Sequence, residues 1–261
     1  MADSNLKGRS AFVAGGSSGI NLTIAKRFAG EGMKVAVFSR SEEKIAKAVE
    51  ELKAINPDCA GYTGDVRDLE AVKSAMTAAA DELGPFDVLL SGAAGNFLAS
   101  ALDMSSNAFR AVVDIDLIGT FHACKAAHEF MVKPGGSIIN ISAPQAFVAY
   151  PMQSHVNAAK AGIEMLTKTL AVEWGHDGLR VNTIIPGPIS ETEGMDRLAP
   201  SVEHREKLAK RLPLRRFGTK DEVADLAVFL ASDQAAYITG ASIAVDGGMS
   251  LMGPAMMMPP A

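Results

Sequence analysis

The sequence predicts an α/β protein built on a single doubly wound parallel sheet of about seven strands, with helices on both faces. Short, continuously apolar runs, typical of strands buried on both faces, alternate along the chain with longer helical patterns. Of the 261 residues, 48% are hydrophobic and 21% are charged, which is enough apolar material to cover both faces of such a sheet. No linker or repeat interrupts the alternation, so we expect one domain over residues 1–261.

The individual elements are assigned from apolar runs and helical spacing. The predicted strands are Ala11–Ala14, Val35–Ser39, Gly61–Thr63, Val88–Ser91, Ser137–Ser142, Val181–Ile185 and Ser242–Val245. The clearest helical patterns are Ile20–Gly30, Glu42–Ala54, Leu69–Leu83 and Val156–Gly175. One long stretch, residues 186–212, lacks strand character. In such a fold it lies beyond the carboxyl ends of the strands, where ligands bind, so we expect it to be a substrate loop that closes as a lid.

Composition narrows the classes of partner. The net charge is −5 and no dense run of Lys and Arg occurs, which argues against a nucleic-acid binder. Cys59 and Cys124 have neither metal-ligand spacing nor the number for a disulfide framework, so no metal site is expected. There is no signal-peptide pattern, no apolar run of membrane-spanning length and no peroxisomal Ser-Lys-Leu address in the final residues. We therefore expect a cytoplasmic protein without a membrane partner.

A glycine-rich segment between the first predicted strand and the first predicted helix is the strongest site signal. Glycines there let the backbone approach phosphate groups, and the free N–H groups of the helix N-terminus attract them. The pattern alone is weak, but its position directly after an apolar strand favours nucleotide binding over a plain turn. The candidate cofactor-binding residues of this segment are Gly15, Ser17, Ser18, Gly19 and Ile20.

This segment resembles the short-chain dehydrogenase/reductase family, whose pattern here is T-G-x-x-x-G-x-G. The chain departs from it at Ala14, in place of Thr, and at Asn21, in place of the last Gly, which adds a side chain where the helix packs closest. The resemblance covers nearly the whole chain and implies a Rossmann-type fold. It includes Asp65-Val66, Ala93-Ala94-Gly95, Pro186-Gly187-Pro188-Ile189, Leu214–Val223 and Asp246-Gly247-Gly248.

The resemblance also implies roles for several of these residues. Asp65 and Val66 stand at the family's adenine contact, and Ala93 follows the fourth strand beside the cofactor. Pro186, Gly187 and Ile189 stand where the family holds the nicotinamide carboxamide. The family usually forms tetramers through elements that correspond here to Met104–Met131, Val156–Gly175 and Ser242–Val245, so we expect a homotetramer.

The end of the second predicted strand bears on which nicotinamide cofactor is used. An NAD site usually places a carboxylate there to bind the ribose 2′-hydroxyl, and that carboxylate would repel a 2′-phosphate. Here the strand ends in Ser39 and Arg40, and an Arg attracts a phosphate through charge-assisted hydrogen bonds. The pair favours NADP(H); the alternative is that Arg40 merely solvates the turn.

The catalytic positions of the family are mostly vacant. Typical members carry Ser, Tyr and Lys, with a helical Asn behind them, and the Tyr donates a proton to a carbonyl oxygen. Lys160 is present, but the Tyr position is Val156, the Ser position is Ala143 and the Asn position is Asp116. Ordinary ketone reduction by the Tyr route is therefore not expected.

This set of replaced catalytic residues resembles that of the 2,4-dienoyl-CoA reductases. The resemblance is closest to the peroxisomal type, which lacks the Tyr and carries Asp in place of Asn. The resemblance implies NADPH-dependent reduction of 2,4-dienoyl-CoA thioesters to 3-enoyl-CoA, with an acyl-CoA as partner. We expect Asp116 to act as the acid or proton relay and Lys160 to bind the nicotinamide ribose and order a water. The alternatives are a carboxylate that only bonds a helix bend and a lysine that only positions the cofactor.

By the same resemblance, several residues match substrate-contacting positions. For Arg67 and Arg197 the alternative is solvated surface charge, for Phe97 a core role and for His155 a satisfied helix-start histidine. Reduction of another enoyl or 3-oxoacyl thioester, and a non-catalytic nucleotide-binding role, remain alternative functions. The candidate substrate residues are Arg67, Phe97, Ser105, Ser106, Asn107, His155 and Arg197.

Overall fold

Seven strands form one parallel sheet in the order β3-β2-β1-β4-β5-β6-β7. The computed structural model describes residues 5–192, 194–195 and 201–253. The strands are β1 Ser10–Ala14, β2 Lys34–Ser39, β3 Cys59–Thr63, β4 Val88–Ser91, β5 Ser137–Ile141, β6 Arg180–Pro186 and β7 Ser242–Val245. The order reverses between β1 and β4, and at such a switch point the loops leaving the two strands diverge and open a crevice. The predicted doubly wound sheet is confirmed, and each strand agrees to within two residues.

Eight helices connect the strands among the described residues. They are α1 Gly19–Gly30, α2 Glu42–Lys53, α3 Leu69–Leu83, α4 Ser106–Val113, α5 Gly119–Phe130, α6 Ser154–Trp174, α7 Val202–Arg211 and α8 Lys220–Ala231. None of the helices in this part of the chain is long and apolar enough to cross a membrane. In the segment 186–212, the described residues form no strand beyond Pro186, as expected, but they include helix α7.

The two faces of the sheet bury different helices. Alternate residues of a strand point to opposite faces, and β1 sends Val13 into a cluster with Phe28 of α1 and Ala224 of α8. Its neighbour Phe12 enters the other cluster, where its ring centroid lies 5.4 Å from that of Phe86. Both faces are covered, which explains why the strands read as continuous apolar runs.

A π-helical turn, Asp114–Ile118, joins α4 to α5. The sequence places Met104–Met131 in one helical element, and its periodicity gives no sign of this insertion. A π turn adds one residue to the helical repeat, and such insertions are frequent at functional sites. Here the turn holds Asp116, whose side chain is 1% exposed, at the edge where the strands end.

Two cavities open at the carboxyl edge of the sheet and share Asn21, Gly92 and Ala94 in their walls. The first, about 340 Å³, lies over β1 and β2, and we call it the cofactor cradle. The second, about 310 Å³, lies over β4, β5 and the start of α6, and we call it the reaction cavity. Because these three residues line both, the two cavities adjoin each other.

Candidate active site

The cofactor cradle begins at Gly15, where the chain leaves β1. Gly15 has a φ of +80°, and a Cβ there would lie 2.7 Å from the backbone nitrogen of Ala93. Only glycine satisfies both constraints, because other residues rarely adopt that φ and a side chain would collide with the next loop. Helix α1 follows, and its N-cap residue Ser18 makes no side-chain capping bond. The first N–H groups of α1 thus remain available for an anion.

Asn21 does more than add bulk to the glycine segment. Its amide nitrogen donates to the carbonyl oxygens of Gly15, at 3.2 Å, and Gly92, at 2.8 Å. A Cβ on Gly92 would lie 2.5 Å from the Asn21 amide, so the two positions fit each other closely. The departure from the family pattern therefore ties the loop after β1 to the loop after β4.

The far end of the cradle carries hydroxyl and cationic groups. Ser17 Oγ donates to Ser39 Oγ at 2.8 Å, which joins the glycine segment to the end of β2. Arg40 and Lys44 line the same cavity, and Arg40 is exposed. Two cations and four serine hydroxyls, with no carboxylate among the described residues that line the cavity, suit an anionic group such as a 2′-phosphate.

Asp116 and Lys160 meet in the reaction cavity as a buried ion pair. Lys160 Nζ lies 3.1 Å from Asp116 Oδ2, and the two side chains are 7% and 1% exposed. The backbone N–H of Gly95 donates to Asp116 Oδ1 at 2.7 Å, and Lys160 also reaches the carbonyl oxygen of Ile141 at 3.4 Å. The two residues that the sequence assigns to proton chemistry are thus in contact.

The vacant catalytic positions lie in the same wall. Ala143 and Val156 line the cavity beside Asp116 and Lys160, and neither side chain can donate a proton. Val156 is 3% exposed, so the valine side chain is packed inside the protein at the position where the family carries Tyr. Asp116 and Lys160 are the charged side chains among the described residues that line this cavity.

Pro186 and Gly187 close the cavity from the end of β6. A Cβ on Gly187 would lie 2.5 Å from the Cα of Asp246, which explains why the loop carries glycine at this point. Ile189 is 2% exposed and packs in the core, so only its backbone can meet a cofactor. Among the described residues, no group of His, Cys, Asp and Glu is arranged to hold a metal ion.

Several predicted residues stand apart from the reaction cavity. Val66 and Ala93 line the cofactor cradle, but Arg67 is engaged by Asp65, with Nη2 to Oδ2 at 2.6 Å. That hydrogen bond is the main cause of the lowered pKa of Asp65. The Arg67 guanidinium is therefore already paired with Asp65, and a substrate phosphate would have to share it with that carboxylate.

The three polar residues at the start of α4 have different surroundings. Ser105 caps the helix by accepting from the backbone nitrogen of Ala108 at 3.1 Å, so its hydroxyl has a structural partner. Ser106 lines a separate groove with Arg110, and Asn107 is exposed. Arg197 lies outside the described residues.

His155 and Phe97 lie together. Their ring centroids are 4.3 Å apart, with Phe97 39% exposed and His155 fully buried. Burial lowers the pKa of His155, and the charge of Asp116 opposes that shift. Burial therefore favours the neutral form of the imidazole, and the Phe97 ring packs against it.

Sequence reasoning missed Asn96, Gln145 and Thr192, which also line the reaction cavity. Gln145 donates to Gln153 at 3.0 Å, which fixes its side chain at the rim. Each follows a strand that ends at this edge, and Asn96 and Thr192 also stand in short segments that resemble the 2,4-dienoyl-CoA reductases. Gln145 stands where the mitochondrial type of that enzyme has a substitute Tyr. These signals mark segments and positions but assign no role to the three side chains.

Comparison with known proteins agrees with this arrangement. A family model described as enoyl-(acyl carrier protein) reductase matches residues 14–250. A peroxisomal 2,4-dienoyl-CoA reductase (3E-enoyl-CoA-producing) of Arabidopsis thaliana is 40% identical over 259 residues, covering 95% of this chain and 87% of the relative. A probable 2,4-dienoyl-CoA reductase (2E-enoyl-CoA-producing) of Bacillus subtilis is 39% identical, covering 93% of this chain and 97% of the relative.

Among solved structures, a short-chain dehydrogenase from Bacillus anthracis superposes with a TM-score of 0.84 at 38% identity, covering 93% of this chain and 97% of that one. The chain belongs to the short-chain dehydrogenase/reductase family, an oxidoreductase family that binds a nicotinamide cofactor.

The expected cytoplasmic location is wrong. Relatives at 39–41% identity from Arabidopsis, yeast and zebrafish are named peroxisomal enzymes, which points to peroxisomes rather than the cytoplasm. The prediction depended on the absence of a signal-peptide pattern, of a membrane-spanning run and of a Ser-Lys-Leu address. Such absences are weak grounds, because a location signal is a receptor-read address and not a property of the fold.

Proposed function

Since the chain belongs to the short-chain dehydrogenases/reductases, we propose that it reduces 2,4-dienoyl-CoA thioesters to 3-enoyl-CoA with NADPH. The observation that carries the proposal is the reaction cavity, in which Asp116 and Lys160 are paired while Ala143 and Val156 fill the usual donor positions. The relatives named as dienoyl-CoA reductases point to the same substrate class.

The cavity walls fit a dinucleotide phosphate cofactor. Gly15 leaves room for a pyrophosphate at the start of α1, and Arg40 with Lys44 complements a 2′-phosphate at the end of β2. Asn21 lies at the junction of the two cavities, where the pyrophosphate of an extended cofactor must pass. When bound, NADPH supplies the hydride of the reaction.

Electrons added to the far end of a conjugated dienoyl thioester move through the double bonds to the thioester oxygen. Hydride addition at C5 leaves a dienolate, and a proton at C2 then gives the 3-enoyl product. Stabilising the negative oxygen requires a hydrogen-bond donor or a cation nearby, and the Lys160 ammonium is the cation of this cavity.

The proton for C2 comes from the Asp116–Lys160 pair through an ordered water. Asp116 is held by Gly95 and Lys160, so its carboxylate has a fixed direction at the cavity wall. Lys160 binds the nicotinamide ribose and holds the water. Neither role requires a hydroxyl at positions 143 or 156, which accounts for their apolar residues.

A homotetramer accompanies this proposal. Apolar residues are exposed on the outer surfaces of α5 and α6, among them Phe121 at 39%, Met165 at 63% and Val172 at 83%. Exposed apolar groups of this size on adjoining helices suit a subunit contact. Light scattering tests it: a tetramer is expected, and Val172→Glu should shift the mass towards smaller species.

A second candidate function is reduction of a 3-oxoacyl thioester. The half-buried Tyr150 supports it weakly, since it is the one phenol near the cavity loops, but its hydroxyl is directed to Met249 Sδ at 3.8 Å. Burial raises the pKa of Tyr150, which makes it a poorer acid. A non-catalytic nucleotide-binding role is favoured by no particular contact.

The test follows NADPH absorbance with purified protein and trans-2,trans-4-hexadienoyl-CoA, beside a 3-oxoacyl-CoA. Oxidation with the dienoyl thioester alone is the expected result. Oxidation only with the ketone would mean that a proton donor lies elsewhere and would overturn the proposal. If neither substrate is used although NADPH binds, the dienoyl-CoA reductase proposal also fails.

A further inference from the structure

His155 is a buried histidine without a protein partner. It lies in the first turn of α6, one residue before the vacant Tyr position, and its side chain is fully buried. Neither ring nitrogen makes a hydrogen bond within the protein. Buried polar groups are nearly always paired, and the exceptions are frequent at catalytic positions. The imidazole therefore calls for a partner that it meets during the reaction.

A second unpaired atom lies in the same place. Asp116 Oδ2 is buried and makes no hydrogen bond, although Lys160 Nζ is 3.1 Å away as an ion pair. The other oxygen, Oδ1, is held by the N–H of Gly95. One short loop links Asp116 to His155, because Gly95 donates to the carboxylate and Phe97, two residues further on, packs against the imidazole. The charge of Asp116 also opposes the effect of burial on the pKa of His155. A neutral imidazole can donate one N–H, and a carboxylate oxygen can accept it.

The Lys160 ammonium cannot bind Asp116 and the nicotinamide ribose equally well at the same time. In the proposed function its ammonium binds the nicotinamide ribose, which draws it away from the carboxylate. Asp116 would then be a buried carboxylate with one oxygen unpaired, which is a costly arrangement. His155 is a buried donor without a partner. Phe97, two residues beyond the Gly95 that holds Asp116, packs against the imidazole with ring centroids 4.3 Å apart and screens it from water.

We infer that His155 is a positioning residue: it takes over Oδ2 of Asp116 when Lys160 turns to the ribose of the bound cofactor. The inference rests on the proposed function for the place of Lys160. In the ligand-free protein the carboxylate is paired with the ammonium. In the complex it is held by Gly95 on Oδ1 and by His155 on Oδ2, so it keeps its direction towards the cavity. His155 touches neither substrate nor cofactor in this account.

Among the described residues, Asp116 is the charged group that affects the pKa of His155, so the proposed exchange can be followed at the imidazole. Asp116 on the π turn acts on it directly, and Lys160 on the same helix acts through Asp116. Phe97, from the loop after β4, packs against the ring without charge. A change in the Asp116–Lys160 pair should therefore register at the ring nitrogens of His155.

Nuclear magnetic resonance of protein labelled with ¹⁵N-histidine tests the exchange without turnover. The chain has five histidines, and His155→Gln identifies the resonances of His155. Addition of NADP⁺ should shift those resonances and raise the pKa of His155, because the carboxylate becomes its direct partner. His176, whose side chain is 77% exposed, is the internal control and should not move. The shift should vanish in Asp116→Asn.

Absence of a cofactor-dependent shift at His155 would overturn the inference. So would a shift of equal size in Asp116→Asn, because the partner would then be another group. Both readouts need only cofactor binding. A protein that binds NADP⁺ but reduces no dienoyl-CoA would therefore end the proposed function and still leave the exchange measurable.

Kinetics separate positioning from a packing role. His155→Leu should lower kcat by about 10-fold, the effect of losing one hydrogen bond to a charged group, and leave KM and NADPH affinity unchanged. His155→Gln keeps an amide N–H and should recover kcat to within about 3-fold of the original. Adding His155→Leu to Asp116→Asn should cost nothing further. An unchanged kcat in His155→Leu, or no recovery with Gln, would contradict the role.

Discussion

The cofactor cradle and the reaction cavity adjoin each other, yet they are built by different means. In the cradle the main features come from the backbone, since Gly15 and the start of α1 present N–H groups and open space. In the reaction cavity they come from side chains, with Asp116 and Lys160 paired opposite Ala143 and Val156. The cofactor cradle keeps most of the family pattern, whereas the reaction cavity has other residues at the family's Ser, Tyr and Asn positions.

The difference teaches which changes a fold of this kind accepts. A cradle built from backbone allows few replacements, and Asn21, one of its two departures from the family pattern, adds two hydrogen bonds. A cavity built from side chains can exchange its proton donor without moving a strand. The two regions should therefore respond differently to mutation, and the following changes test that expectation.

The largest effect is expected at Asp116. Asp116→Ala removes the carboxylate of the proton pair, and kcat should fall by about 10²- to 10⁴-fold, the range for losing a general acid. NADPH affinity should change by less than about 3-fold, because the cradle is untouched. Asp114→Asn, in the same π turn, is the matched control and should keep its kcat. A fully active Asp116→Ala would remove Asp116 from the chemistry.

Arg40 is expected to act on binding and not on the chemical step. Arg40→Ala should raise the Kd for NADPH by about 10- to 100-fold, because charge-assisted hydrogen bonds contribute roughly 1.5–3 kcal/mol. The Kd for NADH should stay nearly the same, since NADH has no 2′-phosphate. Lys47→Ala, on the exposed face of α2, is the control. Calorimetry measures both constants, and equal losses for the two cofactors would refute the preference.

Asn21 should give a smaller effect on the same constant. Asn21→Gly restores the family residue but removes the bonds to Gly15 and Gly92, so the Kd for NADPH should rise by about 3- to 10-fold. Thr23→Ala, which loses only a bond within α1, is the control. Tighter binding in Asn21→Gly would mean that the added side chain hinders the phosphates.

The smallest effect is a pH dependence of stability from His155. Its pKa is lowered in the folded protein, so below the unfolded pKa, about 6.5, the unfolded chain binds a proton that the folded chain does not. Stability should therefore fall as the pH drops from 7 towards 5, and His155→Gln should lessen that fall. Urea unfolding at several pH values measures it. Parallel curves for the two proteins would show that His155 carries no such cost.

The sequence predicts the fold of this molecule well, because the patterns that indicate the strands and the glycine segment each lie within a short stretch of the chain. Each strand of the sheet is an apolar run, and the glycine segment sits directly after the first of them. Gly15, from the glycine segment, lines the cofactor cradle, and Lys160, from the helix after β5, lines the reaction cavity.

Other features depend on partners far away in the chain. The Asn21 amide donates to Gly92, which is 71 residues away, so the sequence pattern around Asn21 does not show this contact. The π turn that holds Asp116 has no periodic signature, since one extra residue in a helix does not alter its composition. The orphaned nitrogens of His155 follow from packing against Phe97 and are invisible in the sequence.

Isotope tracing tests the central claim most directly, that this cavity reduces a dienoyl thioester without a tyrosine. The reaction is run with NADPH deuterated at C4 and trans-2,trans-4-hexadienoyl-CoA, and the product is analysed by mass spectrometry and nuclear magnetic resonance. We predict that the label is on C5, that the solvent proton is on C2 and that the double bond lies between C3 and C4. Label at C3, or at a carbon that carried a carbonyl oxygen, would contradict the account.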